Sequence, residues 1–156
     1  MDQSGKKWLM NMLLGQYHTK INEKGRAAVP AKFKTALGKK IIVTAGYEQS
    51  LMVVAQKDWQ GAVDRLNQGD TLGPTRESDR FLLGSAYEIE LDRQGRFVIP
   101  RYLRQYALLE TEIVFVGVGN RAEIWSQSRW EEYSRYLSQK VKKIWENLNA
   151  STGSIT

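Results

Sequence analysis

The sequence predicts an α+β fold, mostly β, in which two tandem repeats form one pseudo-symmetric domain followed by a C-terminal helix. The main observation is an internal repeat: residues 21–30, INEKGRAAVP, recur 70 positions later as residues 91–100, LDRQGRFVIP. Short apolar segments of strand length flank both copies, and apolar residues recur at helical spacing near the end of the chain. Because an internal repeat is one structural unit used twice, a binding surface on the unit is presented twice.

The first repeat, residues 16–58, is predicted to place four strands around one short helix. Residues 22–25 supply turn chemistry, because Asn tolerates left-handed conformations and Gly takes a positive φ freely. We therefore expect a tight hairpin with Gly25 at its bulge position, joining the strands on either side. The predicted elements are strands at 17–21, 26–29, 41–45 and 51–54, and a helix at 31–37 that Pro30 opens and Gly38 ends.

The second repeat, residues 87–128, follows the same order of elements. A connector at residues 59–86 separates the two repeats, and its middle, residues 67–74, is rich in Gly, Asn and Pro and should interrupt any helix. The predicted elements are connector helices at 58–66 and 76–83, strands at 87–91, 97–99, 113–118 and 122–125, and a short helix opened by Pro100.

The two ends of the chain lie outside the repeats. Residues 1–11 are interpreted as an N-terminal extension before Met12, and residues 150–156 as a tail. Residues 129–149 are predicted to form an amphipathic helix, part of which packs on its own domain while the remainder reaches a neighbouring subunit. Its apolar positions are Trp130, Tyr133, Leu137, Val141, Ile144, Trp145 and Leu148.

Composition excludes several classes of function. The chain has 156 residues and no cysteine, which rules out disulfides, thiolate metal sites and cysteine nucleophiles. The single histidine, His18, lies in a predicted strand, so we expect no metal site, no cofactor and no catalytic residues. No apolar run approaches the ~20 residues that a membrane span requires, and we expect no membrane partner. The net charge of +6 instead favours a phosphate-rich partner.

The basic residues concentrate around the two repeated turns. From residue 18 to 34 there are five Lys or Arg and one acid, a net charge of +4, whereas residues 88–104 carry four and three, a net charge of +1. Because a two-stranded β-ribbon fits the major groove of DNA, where Arg forks onto guanine, we predict a DNA-binding surface. Its residues are Arg26, Arg96, Lys24, Arg93, Lys20, Lys32, Lys34, Arg101 and Arg104, with Asn22, Gly25, Asp92 and Gly95 supporting the turns.

Other interpretations of these turns remain open on the residues alone. The glycines are required by hairpins, and the arginines could simply flank them. A basic surface also suits an oligomeric interaction scaffold that binds an acidic protein or a lipid headgroup. An RNA-binding or toxin-neutralising module is a further alternative. Dependence of binding on DNA sequence would separate these functions.

The chain resembles the MraZ family, whose members contain two AbrB-like (SpoVT/AbrB) swapped-hairpin repeats. The resemblance covers the chain from Met12 to about Tyr133 and is specific because several motifs coincide. They are residues 14–17 (LGQY), 23–26 (EKGR), 29–33 (VPAKF), 83–86 (LGSA), 92–96 (DRQGR), 99–100 (IP) and 116–125 (VGVGNRAEIW). The family signature, Asp-x-x-x-Arg in each repeat, is present as Asp92 and Arg96, but Asn22 replaces the Asp before Arg26.

This resemblance implies a bacterial transcriptional regulator, expected to be a repressor, of the division and cell-wall gene cluster that includes its own promoter. It implies binding to double-stranded DNA at G-rich direct repeats, with the arginine of each repeat in contact with DNA. It also implies a ring-shaped homo-oligomer in the cytoplasm, associated with the nucleoid. For this chain, the Asn at position 22 removes a charged partner that would orient Arg26.

Overall fold

The structure of the chain is a computed structural model that describes residues 12–68 and 75–153. The predicted N-terminal extension, part of the connector and the last three residues of the predicted tail lie outside these ranges. The described strands are β1 (Leu13–Lys20), β2 (Arg26–Ala28), β3 (Lys40–Ala45), β4 (Leu51–Ala55), β5 (Tyr87–Glu90), β6 (Arg96–Val98), β7 (Glu112–Gly119) and β8 (Ala122–Ser126). The α-helices are α1 (Ala31–Leu37), α2 (Trp59–Gln68), α3 (Thr75–Leu82), α4 (Arg101–Tyr106) and α5 (Gln127–Gly153).

The strands form a six-stranded antiparallel sheet, in the order β1-β7-β8-β4-β3-β5, and a two-stranded sheet of β2 and β6. If each strand of the larger sheet is replaced by its counterpart in the other repeat (β1 by β5, β3 by β7, β4 by β8 and the reverse), the same order is obtained, read from the opposite edge. The larger sheet is therefore pseudo-symmetric about the β4–β8 pair. The predicted α+β class with two pseudo-symmetric repeats is confirmed.

The prediction that the repeated turn joins a hairpin within each repeat, β1 with β2 and β5 with β6, is wrong. β1 and β2 belong to different sheets, and each pairs with a strand of the second repeat: β1 with β7, and β2 with β6. Likewise β5 pairs with β3 of the first repeat. Turn residues dictate where the chain reverses, but the backbone groups of a strand are satisfied equally well by another repeat. The arrangement is the swapped one that the family resemblance implied.

The core lies between the sheets and the two short helices that follow the prolines. Phe33 on α1 and Leu103 on α4 are buried and belong to one apolar cluster that contains residues of both repeats. The ring of Phe33 meets that of Tyr17 edge-on, with centroids 5.2 Å apart. The central strands are buried on both faces, which explains why they appear in the sequence as continuous apolar runs. Because the main core contains residues of both repeats, the two repeats fold as one unit.

Helix α3 is fixed to the sheet by buried polar groups. The hydroxyl of Thr44, on β3, donates to the carbonyl of Leu82 at 2.5 Å and lies 2.9 Å from the hydroxyl of Ser85. A small apolar cluster that includes Met52 and Val54 packs beside them. The predicted connector is thus helical at both ends, and its second helix packs on the first repeat.

The C-terminal helix α5 forms a compact unit of its own. It extends to Gly153, so residues 150–153, which we had placed in a tail, are helical. No Gly or Pro interrupts the segment before Gly153, which accounts for the greater length. Large apolar side chains in its C-terminal half are exposed: Val141, Ile144, Trp145 and Leu148. Among the described helices, none is long and apolar enough to cross a membrane.

Candidate nucleic-acid interface

The two repeated turns have the same backbone geometry. In each, the amide of the first residue, Asn22 or Asp92, donates to the carbonyl of the arginine four positions later at 3.0 Å. The glycine amide, of Gly25 or Gly95, donates back to the carbonyl of the first residue at 2.9 Å. The two glycines have φ values of 82° and 76°, a region that other residues enter only at a cost. The turns are therefore one structural unit repeated.

The first side chain of each turn caps the backbone of the turn. Oδ1 of Asn22 accepts the amides two and four residues later at 3.0 and 2.9 Å, and Oδ1 of Asp92 accepts the corresponding amides at 2.9 Å each. Either residue type supplies this oxygen, which is why Asn and Asp interchange here without changing the turn.

The turns differ in how they hold their arginines. The Nε of Arg96 donates to Oδ2 of Asp92 at 2.9 Å, an ion pair within the turn. Over residues 12–68 and 75–153, no hydrogen bond or ion pair involves the guanidinium of Arg26. The pKa of Asp92 is lowered from its ordinary value, first by the backbone amide of Arg96, then by the side chain of that arginine and the amide of Gln94. Asp92 therefore stays ionised and bound to Arg96 at neutral pH.

Each turn is covered by a basic side chain from the other repeat. Lys34, on α1, crosses to the second turn, where its Nζ donates to the carbonyl of Gln94 at 3.2 Å. A methyl group added to Gly95 would collide with the end of this lysine side chain. In the same way, a Cβ on Gly25 would lie 2.6 Å from the guanidinium carbon of Arg104, on α4. Glycine at these two positions thus permits the positive φ and also leaves room for the lysine or arginine side chain that packs on the turn.

This exchange alters which basic residues lie at each turn but not how many. Lys34 was counted with the first turn and Arg104 with the second, but the swap places each beside the opposite turn. Because one positive charge moves in each direction, the net charges of +4 and +1 around the two turns stay the same. Arg104 is also fixed, since its Nε donates to the carbonyl of Ile99 at 2.9 Å.

The two arginines lie on the same face of one shared ribbon. Ala27 of β2 is paired with Phe97 of β6, and both are buried, at 3% and 4% exposure. Because side chains alternate along a strand, Arg26 and Arg96 occupy the opposite, outward face, and both are partly exposed. They are diagonal neighbours in the ladder, which places their Cα atoms about 7–8 Å apart. We had predicted two separate hairpin turns; the structure instead joins them in a single two-stranded surface.

The remaining predicted DNA-binding residues lie in the turns, strands and helices that flank the ribbon strands in sequence. Lys20, at the end of β1, forms an exposed ion pair with Glu112 at 3.6 Å, so its charge is partly balanced. The others that the swap does not involve are exposed at the turn tips or on the first turns of the short helices: Lys24, Arg93, Lys32 and Arg101. Contact of these side chains with nucleic acid stays a prediction.

Sequence reasoning missed one exposed residue of the ribbon. Val98 lies on the outward face, directly opposite Arg26, and is 43% exposed. The alternation of residues 96–98, in which Phe97 is buried, was the signal that could have placed it beside the arginines. An exposed apolar side chain between two arginines is suited to contact with a thymine methyl group.

His18 is exposed on β1, and the described residues contain no group of three or more His, Cys, Asp or Glu that could bind a metal ion. Trp59 is partly buried and Trp125 is fully buried, so neither presents an open face for stacking on a base.

A family model and curated relatives both match most of the chain. The family model described as "MraZ protein, putative antitoxin-like" matches residues 12–80 and 82–148, one match for each half of the chain. A protein of Moorella thermoacetica named "Transcriptional regulator MraZ" is 42% identical over 138 residues, covering 88% of this chain and 96% of that protein. A protein of the same name from Caldanaerobacter subterraneus subsp. tengcongensis is 40% identical over 139 residues, covering 88% and 97%.

Proposed function

The chain belongs to the MraZ family, and we propose that it is a sequence-specific DNA-binding repressor of transcription. Its relatives are named as transcriptional regulators, and the chain is accordingly a regulator rather than an enzyme. The observation that carries the proposal is the position of Arg26 and Arg96 on one exposed face of a ribbon built by both repeats.

In this proposal, the ribbon of β2 and β6 enters the major groove. A two-stranded ribbon has the width of that groove, and arginine can donate two hydrogen bonds to O6 and N7 of guanine. Arg26 and Arg96 would contact base edges, and Val98 would contact a thymine methyl between them. The exposed lysines and arginines around the ribbon would neutralise phosphates and make binding salt-dependent.

The spacing of the arginines supports binding to repeated sites by several subunits. A separation of about 7–8 Å spans only about two base-pair steps of roughly 3.4 Å. One subunit therefore contacts few base pairs and binds weakly alone. Linking several subunits raises the effective concentration of each ribbon at the next site. This supports a ring-shaped homo-oligomer on G-rich direct repeats, and the exposed apolar side chains of α5 provide a surface for self-association.

We propose that the target is the DNA upstream of the protein's own gene, in the division and cell-wall gene cluster. The protein would then act in the cytoplasm on the nucleoid and repress its own operon. An interaction scaffold that binds acidic partners is the second candidate, and one observation favours it: positive charge is not confined to the turns, since Lys140, Lys142 and Lys143 lie together on α5.

The test is a fluorescence-anisotropy titration of the full chain against its own upstream DNA and a scrambled duplex, at two salt concentrations. We expect preferential binding to the upstream DNA. Arg26→Ala should weaken specific binding by about 1–3 kcal/mol, and the double variant Arg26→Ala/Arg96→Ala should bind both duplexes alike. Equal, strongly salt-sensitive binding of the wild-type protein to both duplexes would contradict the proposal and favour the scaffold.

A further inference from the structure

We propose that the two turns contribute unequally to recognition, and that the residue four positions before each arginine sets the difference. The second turn, in which Asp92 holds Arg96, supplies most of the discrimination between base sequences. The first turn, in which Asn22 leaves Arg26 unheld, supplies a contact that tolerates many sequences. This inference rests on the proposed function, since it concerns how the same ribbon distinguishes one DNA sequence from another.

The chemistry of Asn22 prevents it from doing what Asp92 does. Its Oδ1 already accepts two backbone amides of the turn, which fixes the orientation of the side chain. The remaining polar atom is therefore the amide nitrogen, a donor. A guanidinium group also contains only donors, so the two groups cannot form a hydrogen bond. In Asp92 the atom at this position is a second carboxylate oxygen, and it accepts from Arg96 at 2.9 Å.

The ion pair leaves the useful end of Arg96 available. Only Nε is bound to Asp92, so both Nη groups remain to form the two hydrogen bonds that guanine O6 and N7 accept. The arginine side chain is already ordered before it meets DNA, which reduces the conformational entropy lost on binding. At a site without guanine, a held arginine leaves its donors unpaired, whereas a mobile one can turn to a phosphate. A held arginine therefore penalises the wrong base more strongly.

The backbone of the two turns is matched, which makes them an internal comparison, although Glu23 and Lys24 of the first turn correspond to Arg93 and Gln94 of the second. Their backbone hydrogen bonds have equal lengths. Each is covered by a basic side chain of the other repeat, Lys34 or Arg104. Arg26 and Arg96 occupy equivalent positions in the β2–β6 ladder. Asp92 bonds the side chain of its arginine and Asn22 does not, and this is the difference that the experiment isolates.

The experiment exchanges these residues in the full chain with Asn22→Asp, Asp92→Asn and the double exchange. The first turn already shows that Asn supports this backbone, so Asp92→Asn should keep the fold. The measured quantity is the ratio of the dissociation constant for the scrambled duplex to that for the upstream DNA. Both substitutions also change charge, but charge acts alike on the two duplexes and largely cancels in the ratio. Thermal unfolding of each variant is the control for folding.

We expect Asp92→Asn to lower the ratio on the order of tenfold, within the range of one bidentate arginine–guanine contact. Asn22→Asp should raise it, and in the double exchange Arg26→Ala should become more damaging than Arg96→Ala. An Asp92→Asn variant with the wild-type ratio, while Arg96→Ala lowers that ratio, would overturn this inference alone. A wild-type ratio near one would refute the proposed function itself.

Discussion

Lys34 and Gln94 are 60 residues apart in sequence, yet the Nζ of the lysine lies 3.2 Å from the carbonyl oxygen of Gln94. This contact places a helix of the first repeat over the turn of the second. Arg104 occupies the equivalent position over the first turn, beside Gly25. Neither turn is therefore complete without the other repeat, and the surface that we assign to DNA exists only in the folded whole.

The first prediction concerns Lys34. Lys34→Ala should lower the slope of log affinity against log salt by about one, because one phosphate contact is lost. It should weaken binding to the upstream and scrambled duplexes by similar factors, since a phosphate contact carries little sequence information. Anisotropy titrations at several salt concentrations measure both effects. Lys57→Ala, which removes a lysine of the segment after β4, is the control and should leave the slope nearly unchanged; equal slopes for the two variants would contradict the assignment.

Much of the local structure could be predicted from the sequence, because turn chemistry and apolar periodicity act over a few residues. Helix α1, for example, has the predicted limits of 31–37, between Pro30 and Gly38. The choice of strand partners could not be predicted from pattern, since the ladder of β2 is formed with a strand 70 positions away. The sequence identifies Lys34 as a basic residue near the first turn. Its position beside the second turn depends on the strand pairing and could not be predicted for the same reason.

The departure at position 22 was visible in the sequence, and the structure gives its consequence. The side-chain oxygen of Asn22 could accept from the guanidinium of Arg26 or from the backbone of the turn. It caps the turn, by accepting the backbone amide of Arg26 at 2.9 Å. Which of these an Asn does depends on the direction of its amide group, which is set by hydrogen bonds that a sequence pattern does not specify.

The second prediction concerns the turn glycines. Gly95→Ala should destabilise the fold by about 1–2 kcal/mol, the usual cost of a left-handed conformation for a residue with a Cβ. Its φ is 76°, and the new methyl group would also displace Lys34 from the turn. Urea unfolding followed by circular dichroism measures the change in free energy. Specific DNA binding should fall as well, since the position of the second turn changes.

Gly61→Ala is the matched control for that experiment. Gly61 lies in helix α2, its φ is not positive, and no atom of the described residues lies within 4 Å of an added Cβ. The same substitution should therefore stabilise the protein by about 0.5–1 kcal/mol, because Ala is the better helix former. Equal effects of the two substitutions would show that the conformation of Gly95 is not the cause.

The third prediction concerns pH. The pKa of Asp92 is lowered in the folded protein, first by the backbone amide of Arg96, so ionised Asp92 stabilises the folded state. This contribution is fully present above the ordinary aspartate pKa of about 3.9. It is lost as the pH falls below that value and through the lowered pKa of the folded state. Carbon-detected NMR titration of the Asp92 carboxyl group should give a midpoint below the ordinary range.

Arg96→Ala provides the control for this titration, because it removes the guanidinium but keeps the backbone amide. The midpoint should rise in the variant but remain below that of an unperturbed aspartate, since the backbone amide is the larger cause of the shift. A wild-type midpoint at or above the ordinary value would mean that Asp92 is not held by the turn, and the difference between the two turns would lose its basis.

The fourth prediction concerns the exposed apolar face of α5. Val141, Ile144 and Leu148 are spaced three and four residues apart, so they lie on one side of the helix, and about half of each side chain is exposed. A narrow apolar stripe of this spacing is typical of a helix that packs against another helix. Ile144→Ala/Leu148→Ala should therefore reduce the mass of the proposed oligomer, as measured by light scattering after size-exclusion chromatography.

The matched control for this face is Gln139→Ala/Glu146→Ala, which removes two exposed polar side chains from the other side of α5 and should leave the oligomer unchanged. If the apolar variant loses mass, its affinity for DNA with several direct repeats should fall far more than its affinity for a single site, because only the first depends on linked subunits. An unchanged mass together with unchanged affinity for repeated sites would show that self-association does not use this face. Oligomer contacts would then have to be sought on the repeat domain.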